Sequence, residues 1–579
     1  MQGTFTGDLT LSGTTTFTTS TAGTLSGGIL ITNGTLIAGE TVDVQGTLVV
    51  DGTLDLSQVD SAFSVEGTVL VDTNGTVLSG TGTFTLSGTA VHSYADNTGM
   101  ADFGHVDVTG TLNLDSDMVS TALRISTGGT LITDGYDLDI AGTMDIDGNF
   151  DATDAGGRSS DISVGGDWDM MGGTFSNANS TIIFDGTSSV TSASMSFNNV
   201  TLGSSTTGGA LTAVDDLSID GNLAANTINT TTLYISNVNV TMSGASWDMT
   251  NLDTFNTTSS TVIFDNTTTI TSQTKSFESI QLGTATLGAT VTTADALNID
   301  GIFRVFDGAS TTFNISGDVV TMSGATFDMT NLDTFTNASS TVIFDANTNV
   351  TSSMLSFDAI QIGTAALGGS LTLLDNLSLD GTFDVLNGNT TTFDIRSYTV
   401  SMSGTTWDMS NLDTFETTNS TVVFDGIDVT ATITSGGNAF DQFTIDGTST
   451  STWTLQDALD VDETLNITWG KLDQGSGNNI TLAGTLEIGS EGVFTKDAGA
   501  GTFTFDGTTP ARWCDTYVDG PNDLGVVVIN KTNTVSPTTN NVISLGSWVV
   551  AETIPINGTA GQADKLAAGD NSYVLSLPR

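Results

Sequence analysis

The segment TMSGASWDMTNLDTFNTTSSTVIFD starts at Thr241, returns as TMSGATFDMTNLDTFTNASSTVIFD at Thr321, and returns again as SMSGTTWDMSNLDTFETTNSTVVFD at Ser401. The offset is 80 residues both times. A period this regular means that the chain is built by stacking copies of one unit, each leaning on its neighbours. Function is then expected in shape, length and surface more than in one pocket.

Three zones follow from the markers of this repeat. In residues 161–508 an apolar word ends in Phe184-Asp185, Phe264-Asp265, Phe344-Asp345, Phe424-Asp425 and Phe505-Asp506, at spacings of 80, 80, 80 and 81. Asp-Gly turns recur at Asp220-Gly221, Asp300-Gly301 and Asp380-Gly381, and an aromatic-Asp-Met word recurs at Trp168, Trp247, Phe327 and Trp407. Residues 1–160 lack the long period but carry the same short words, such as GTLIAGETVDVQGTLVVDGTLDLSQ. Residues 509–579 differ in kind. All five prolines fall there (Pro510, Pro521, Pro537, Pro555 and Pro578), together with the single cysteine, Cys514. Proline cannot donate to a strand ladder, so this zone reads as a cap or assembly module closing an otherwise sticky end.

The words themselves are strands. Val44, Leu48 and Val50 alternate with polar residues, punctuated by Gly46 and Gly52, and period-2 alternation broken every six to eight residues leaves no room for helices. Eighty residues divide into about four rungs of roughly twenty. The expected fold is all-β: an elongated right-handed parallel β-helix, or β-solenoid, with an 80-residue superperiod. About 25 rungs at about 4.8 Å would give a rod on the order of 120 Å. The rival is a string of β-sandwiches of about 80 residues, each around a tryptophan such as Trp247 or Trp407. The unbroken turn rhythm of residues 1–160 argues against it.

Charge narrows the partners. Asp and Glu number 65 against 11 Lys and Arg, for a formal net charge of −54. Such a chain repels nucleic acid and anionic lipid and is suited to salt or divalent cations. One cysteine excludes an intramolecular disulfide, and no run of about 18 apolar residues is present to make a membrane-spanning helix. The opening MQGTFTGDLTLSG has neither the basic nor the apolar region of a secretory signal, so the expectation is either export by another route, as in a virion part, or a mature or excised portion numbered from a start Met.

No catalytic or cofactor-binding residue is assigned from these patterns. His92 and His105, with Asp96, Asp102 and Asp107 close in sequence, are the candidates for a metal or acid–base site, but their spacing fits no defined motif and surface or packing roles are expected. Arg304 is replaced by Asp384 one repeat later and Lys275 is not retained, so neither marks a site. Calcium at turn aspartates such as Asp300 and Asp380 is the remaining metal expectation, although no nonapeptide β-roll or EF-hand loop is present. Sequons such as Asn179, Asn199, Asn419 and Asn466 are frequent in a chain this rich in Asn, Ser and Thr.

The words STVIFDNTTTITSQTKSFESIQLG and ALNIDGIFRVFDG resemble the β-strand-repeat family of large microbial surface proteins, across residues 161–508. The opening GTFTGDLTLSGTTTF is similar to repeats of phage fibre and other virion proteins. Both resemblances imply an extended, extracellular, non-enzymatic object. The first expectation is a structural or adhesive element of a surface assembly (filament, sheath or surface layer) that self-associates and meets surface glycans. The second is a virion fibre, spike or capsid-decorating protein, and the third is a polysaccharide lyase or hydrolase.

Overall fold

The computed structural model describes residues 3–529, except 59–61, 154–155, 227–228, 307, 387, 497–500, 508–510 and 519–521, together with the strands Val542–Leu545 and Lys565–Ala568. Parallel strands stack in about 23 turns of a β-solenoid, with no helix among the described residues. The chain divides into two compact units, Met1–Thr292 and Thr293–Arg579.

In the first unit one sheet of 13 strands runs from Gly3–Phe5 to Thr254–Asn256, and one of 11 strands begins at Leu9–Ser12. A third begins at Met118–Ser120. From there the chain visits three sheets in strict rotation, and the sheet opened by Ser196–Phe197 takes the place of the one ending at Thr174–Ser176. One turn is therefore three strands. Ile182, Val200, Leu223, Trp247 and Ile270 succeed one another up a single ladder. Their side chains point inward and are nearly or fully buried, because alternation sends every second residue to one face and parallel register lines equivalent residues up.

The long repeat is not a whole number of turns. The strands Thr181–Phe184 and Thr261–Phe264 are eleven strands apart in chain order. At three strands per turn this is three and two-thirds turns, not the four expected from length. Successive copies therefore occupy different ladders. Trp168 sits between Met144 and Val190 in the 13-stranded sheet, whereas Trp247 sits between Leu223 and Ile270 in another. In the second unit, Phe344 pairs with Met322 and Ile362, Phe424 with Met402 and Ile445, and Phe505 with Leu482, on three separate ladders.

The sandwich alternative is overturned by the same pairings. Trp247 and Trp407 are buried, but as rungs of parallel ladders. Aromatic residues stack up these ladders: Phe383 lies 4.5 Å from Trp407 with an interplanar angle of 22°, an arrangement that adds to the stability given by burial. The strands Ala511–Asp515, Val526–Ile529, Val542–Leu545 and Lys565–Ala568 continue the parallel pairing. All five prolines of the expected cap lie outside the described residues.

Candidate functional site

The two histidines are held apart. His92 lies in the strand Val91–Asp96, paired with Leu112, and His105 in the strand His105–Val108 of the 13-stranded sheet, paired with Thr83 and Ala122. His92 faces the interior and His105 is exposed. Alternation along Val91–Asp96 also turns Tyr94 and Asp96 inward, so three polar side chains enter the core from one strand. A Cβ on Gly88 would stand 1.7 Å from His92 Nε2, so the glycine makes room for the ring. His92 Nε2 and the Tyr94 hydroxyl have no hydrogen-bond partner among the described residues. Burial first, then the Asp96 and Asp102 carboxylates, push the Tyr94 hydroxyl well above its ordinary range. It stays neutral.

The aspartates close to them organise backbone. Asp96 accepts from Thr98 N at 2.8 Å, Thr98 Oγ1 at 2.6 Å and Ala101 N at 2.9 Å. Asp102 accepts from Gly104 N at 2.7 Å and Thr121 Oγ1 at 3.2 Å, and Asp107 from Ser126 Oγ at 2.7 Å. The five residues singled out from sequence thus form turns and ladder rungs, and do not converge on one point.

The same role extends over the acidic surface. Asp253, Asp333 and Asp413 each accept the N–H of a threonine one turn earlier (Thr231, Thr311 and Thr391) at 2.8 Å. Asp215, Asp375 and Asp457 each receive two successive N–H groups, those of Ser192 and Ala193, Ser352 and Ser353, and Ser435 and Gly436, at 2.6 to 2.8 Å. Ala193, Ser194, Ser353 and Met354 have positive φ, which places these corners in tight left-handed turns. Hydrogen bonds from backbone N–H to a carboxylate are among the strong ones, roughly 1.5–3 kcal/mol each. Asp300 and Asp380 lie within the strands Leu297–Val305 and Leu377–Val385, and Asp380 accepts from Ser356 Oγ at 2.6 Å. Among the described residues, no group of three or more His, Cys, Asp or Glu is placed to hold a metal ion.

Two markers that are separate words in the sequence meet across rungs. Ser243, Ser323 and Ser403 of the Met-Ser-Gly word donate to Asp265, Asp345 and Asp425 of the Phe-Asp word, each at 2.7 Å. The Ser-Thr of the sequon-like words has a corner role as well. Ser180 and Ser420 donate at 2.6 Å to the carbonyls three residues earlier, Asn177 and Thr417.

Of the rare basic residues, Arg304 lies over the Phe306 ring at 5.2 Å. Its repeat counterpart Asp384 has a carboxyl raised by burial and by Asp408, the next residue up its ladder. Arg124, which stood out in no sequence pattern, is flanked in register by Asp107 and Asp145. It forms ion pairs with Asp145 at 3.3 Å and Asp147 at 2.7 Å. Arg124, Asp107 and Asp145, with His105, Ala122 and Thr143, line a shallow groove of about 230 Å³. Exposed pairs of this kind stabilise little. Their effect is to interrupt a row of like charges, and only register could reveal it. No family model, curated protein or solved structure matches this chain.

Proposed function

We propose that this chain is a non-enzymatic structural element of an extracellular surface assembly, such as a filament, sheath or surface layer. The observation that supports it most is the use made of the repeat. Its apolar words fill the interior turn after turn, and its carboxylates fasten one rung to the next. Because the copies advance by a fraction of a turn, the same surface words face different directions on successive copies. This suits lateral contact with more than one neighbouring chain. The acidic surface calls for cations to screen it when such chains approach.

Negative-stain imaging of the purified chain, with and without millimolar divalent cation, tests this reading. Ordered filaments or sheets are expected. Dispersed single particles at every cation and salt concentration would count against it. Depolymerisation of an acidic or neutral polysaccharide by the chain would replace it with the enzyme reading, and capsid-bound chains in virion preparations would favour the virion reading.

A further inference from the structure

Trp469 breaks the pattern set by the other tryptophans. Trp168, Trp247, Trp407, Trp453 and Trp513 are at most 3% exposed, whereas Trp469 is 43% exposed. It lies in the strand Leu459–Asp473, where the ladder register shifts between Ile467 and Trp469. Thr468 and Trp469 consequently both face outward, and the chain turns back inward at Gly470, whose φ of 99° suits glycine alone. A register break of this type re-aims a side chain.

The neighbours of the indole are fixed by parallel pairing. Asp446 is its partner on the preceding rung and Glu491 its partner on the following one. Each is therefore about 4.8 Å away along the stack. Both are exposed, and neither carboxylate makes a hydrogen bond or ion pair with the described residues. In contrast to the aspartates that fasten corners, these two have their oxygens available. Gly447, Gly470 and Gly492, the next residue on each of the three rungs, are buried and add no side chain beside the ring. The result is an indole 43% exposed, with a free carboxylate on the rung to either side.

We propose that Trp469, Asp446 and Glu491 form a binding platform for an amino sugar of the glucosamine type within a glycan. The chemistry is complementary at each point. The indole face accepts the apolar C–H face of a pyranose ring and attracts a nearby ammonium. The flanking carboxylates accept charge-assisted hydrogen bonds from ammonium and hydroxyl groups. A chain with net charge −54 repels uronic-acid glycans and draws in cationic ones. The site goes beyond the structural reading above and stands whether or not the chain assembles.

The test is titration of the full-length chain with a glucosamine hexamer, followed by calorimetry and by tryptophan emission. Trp469 is the exposed fluorophore among the described tryptophans, so a blue shift on binding reports it. Trp469→Ala is expected to weaken binding at least tenfold, and Asp446→Asn with Glu491→Gln severalfold. Trp469→Tyr, which keeps an aromatic face, is expected to retain most of the affinity. All three positions are exposed, and an unchanged far-ultraviolet spectrum checks that the variants fold. The N-acetylated hexamer and an oligogalacturonate are expected to bind at least tenfold more weakly. Any of three results overturns the proposal: no binding of the glucosamine hexamer at millimolar concentration, equal binding to Trp469→Ala, or equal binding of tetralysine, which would show attraction by charge alone. Imaging of Trp469→Ala separates this outcome from failure of the assembly reading.

Discussion

Replacing Gly404 with alanine should open the solenoid locally, by an amount that follows from one contact. A Cβ at Gly404 would stand 1.7 Å from the carbonyl oxygen of Gly381 and 2.4 Å from its carbon, on the rung beneath. The two rungs are tied at this point by Thr405 N donating to that same oxygen at 3.0 Å, and by Ser403 N donating to Leu379 O at 2.8 Å. Relieving the overlap demands a displacement of more than an ångström, which breaks at least the first of these bonds. Overpacking of about 1–3 kcal/mol, with a rung-to-rung hydrogen bond lost at about 0.5–1.5 kcal/mol, gives a cost of about 3 kcal/mol. The same contact recurs 80 and 160 residues earlier at Gly324 and Gly244, whose Cβ would meet Gly301 O at 1.6 Å and Gly221 O at 1.3 Å. Gly317 supplies the control. Its φ is 82° but nothing lies within 4 Å of its Cβ position, so alanine there should cost only about 1–2 kcal/mol of backbone strain. Hydrogen exchange resolves the two. At 1.4 kcal/mol per factor of ten, amides around Ser403 and Thr405 should lose about a hundredfold in protection in Gly404→Ala, while those several rungs away keep theirs, since stacked repeats couple mainly to neighbours. Protection in Gly404→Ala equal to that in Gly317→Ala would refute the reasoning.

Trp407→Phe should change stability by about 1 kcal/mol or less, against about 3–5 kcal/mol for Trp407→Ala. The indole N–H has no hydrogen-bond partner among the described residues, and the preceding repeat carries Phe327 at this position; urea unfolding of the two variants checks the difference. Asp413→Ala removes the acceptor for Thr391 N and should cost about 2 kcal/mol. Asp413→Asn, which keeps an oxygen there, should cost less, and thermal melts would show the order reversed if the carboxylate has no corner role. Mild acidification should stabilise the fold. Burial and neighbouring carboxylates raise Asp137, Asp185, Asp384 and Asp460 above the ordinary aspartate range. A raised folded value means that the native state binds more protons than the unfolded one, so the strain is relieved below the raised values and stability falls as pH rises through them. Asp394 goes the other way, because the bonds from Arg396 outweigh its burial. A melting temperature that falls between pH 7 and pH 5 would contradict the balance.

How much of this was legible beforehand differs by element. The alternation of Val44, Leu48 and Val50 predicts inward-facing strands, and these residues are fully or almost fully buried. The buried aromatic at Trp247, Phe327 and Trp407 was likewise marked by its period. His92 was visible as a rare residue, but its burial over Gly88 was not, because that depends on which rung passes beneath. Trp469 is not marked in the sequence, for a related reason. It belongs to no repeated word, and what distinguishes it is a register shift that turns it outward beside Asp446 and Glu491.

The sequence by itself determined that the chain is a stack of short strands with an 80-residue period. Side-chain alternation and turn residues are local properties, and they repeat wherever the words repeat. The tertiary structure alone decided where the words go around the stack. Three strands close a turn in the first unit and eleven separate its two copies of the Phe-Asp strand, and identical words fall on different ladders. The partner of Ser403 is then Asp425, and the partners of Trp469 are two free carboxylates. Such pairings depend on the number of residues needed to close each turn, which is set by packing around the core and is not carried by any single word.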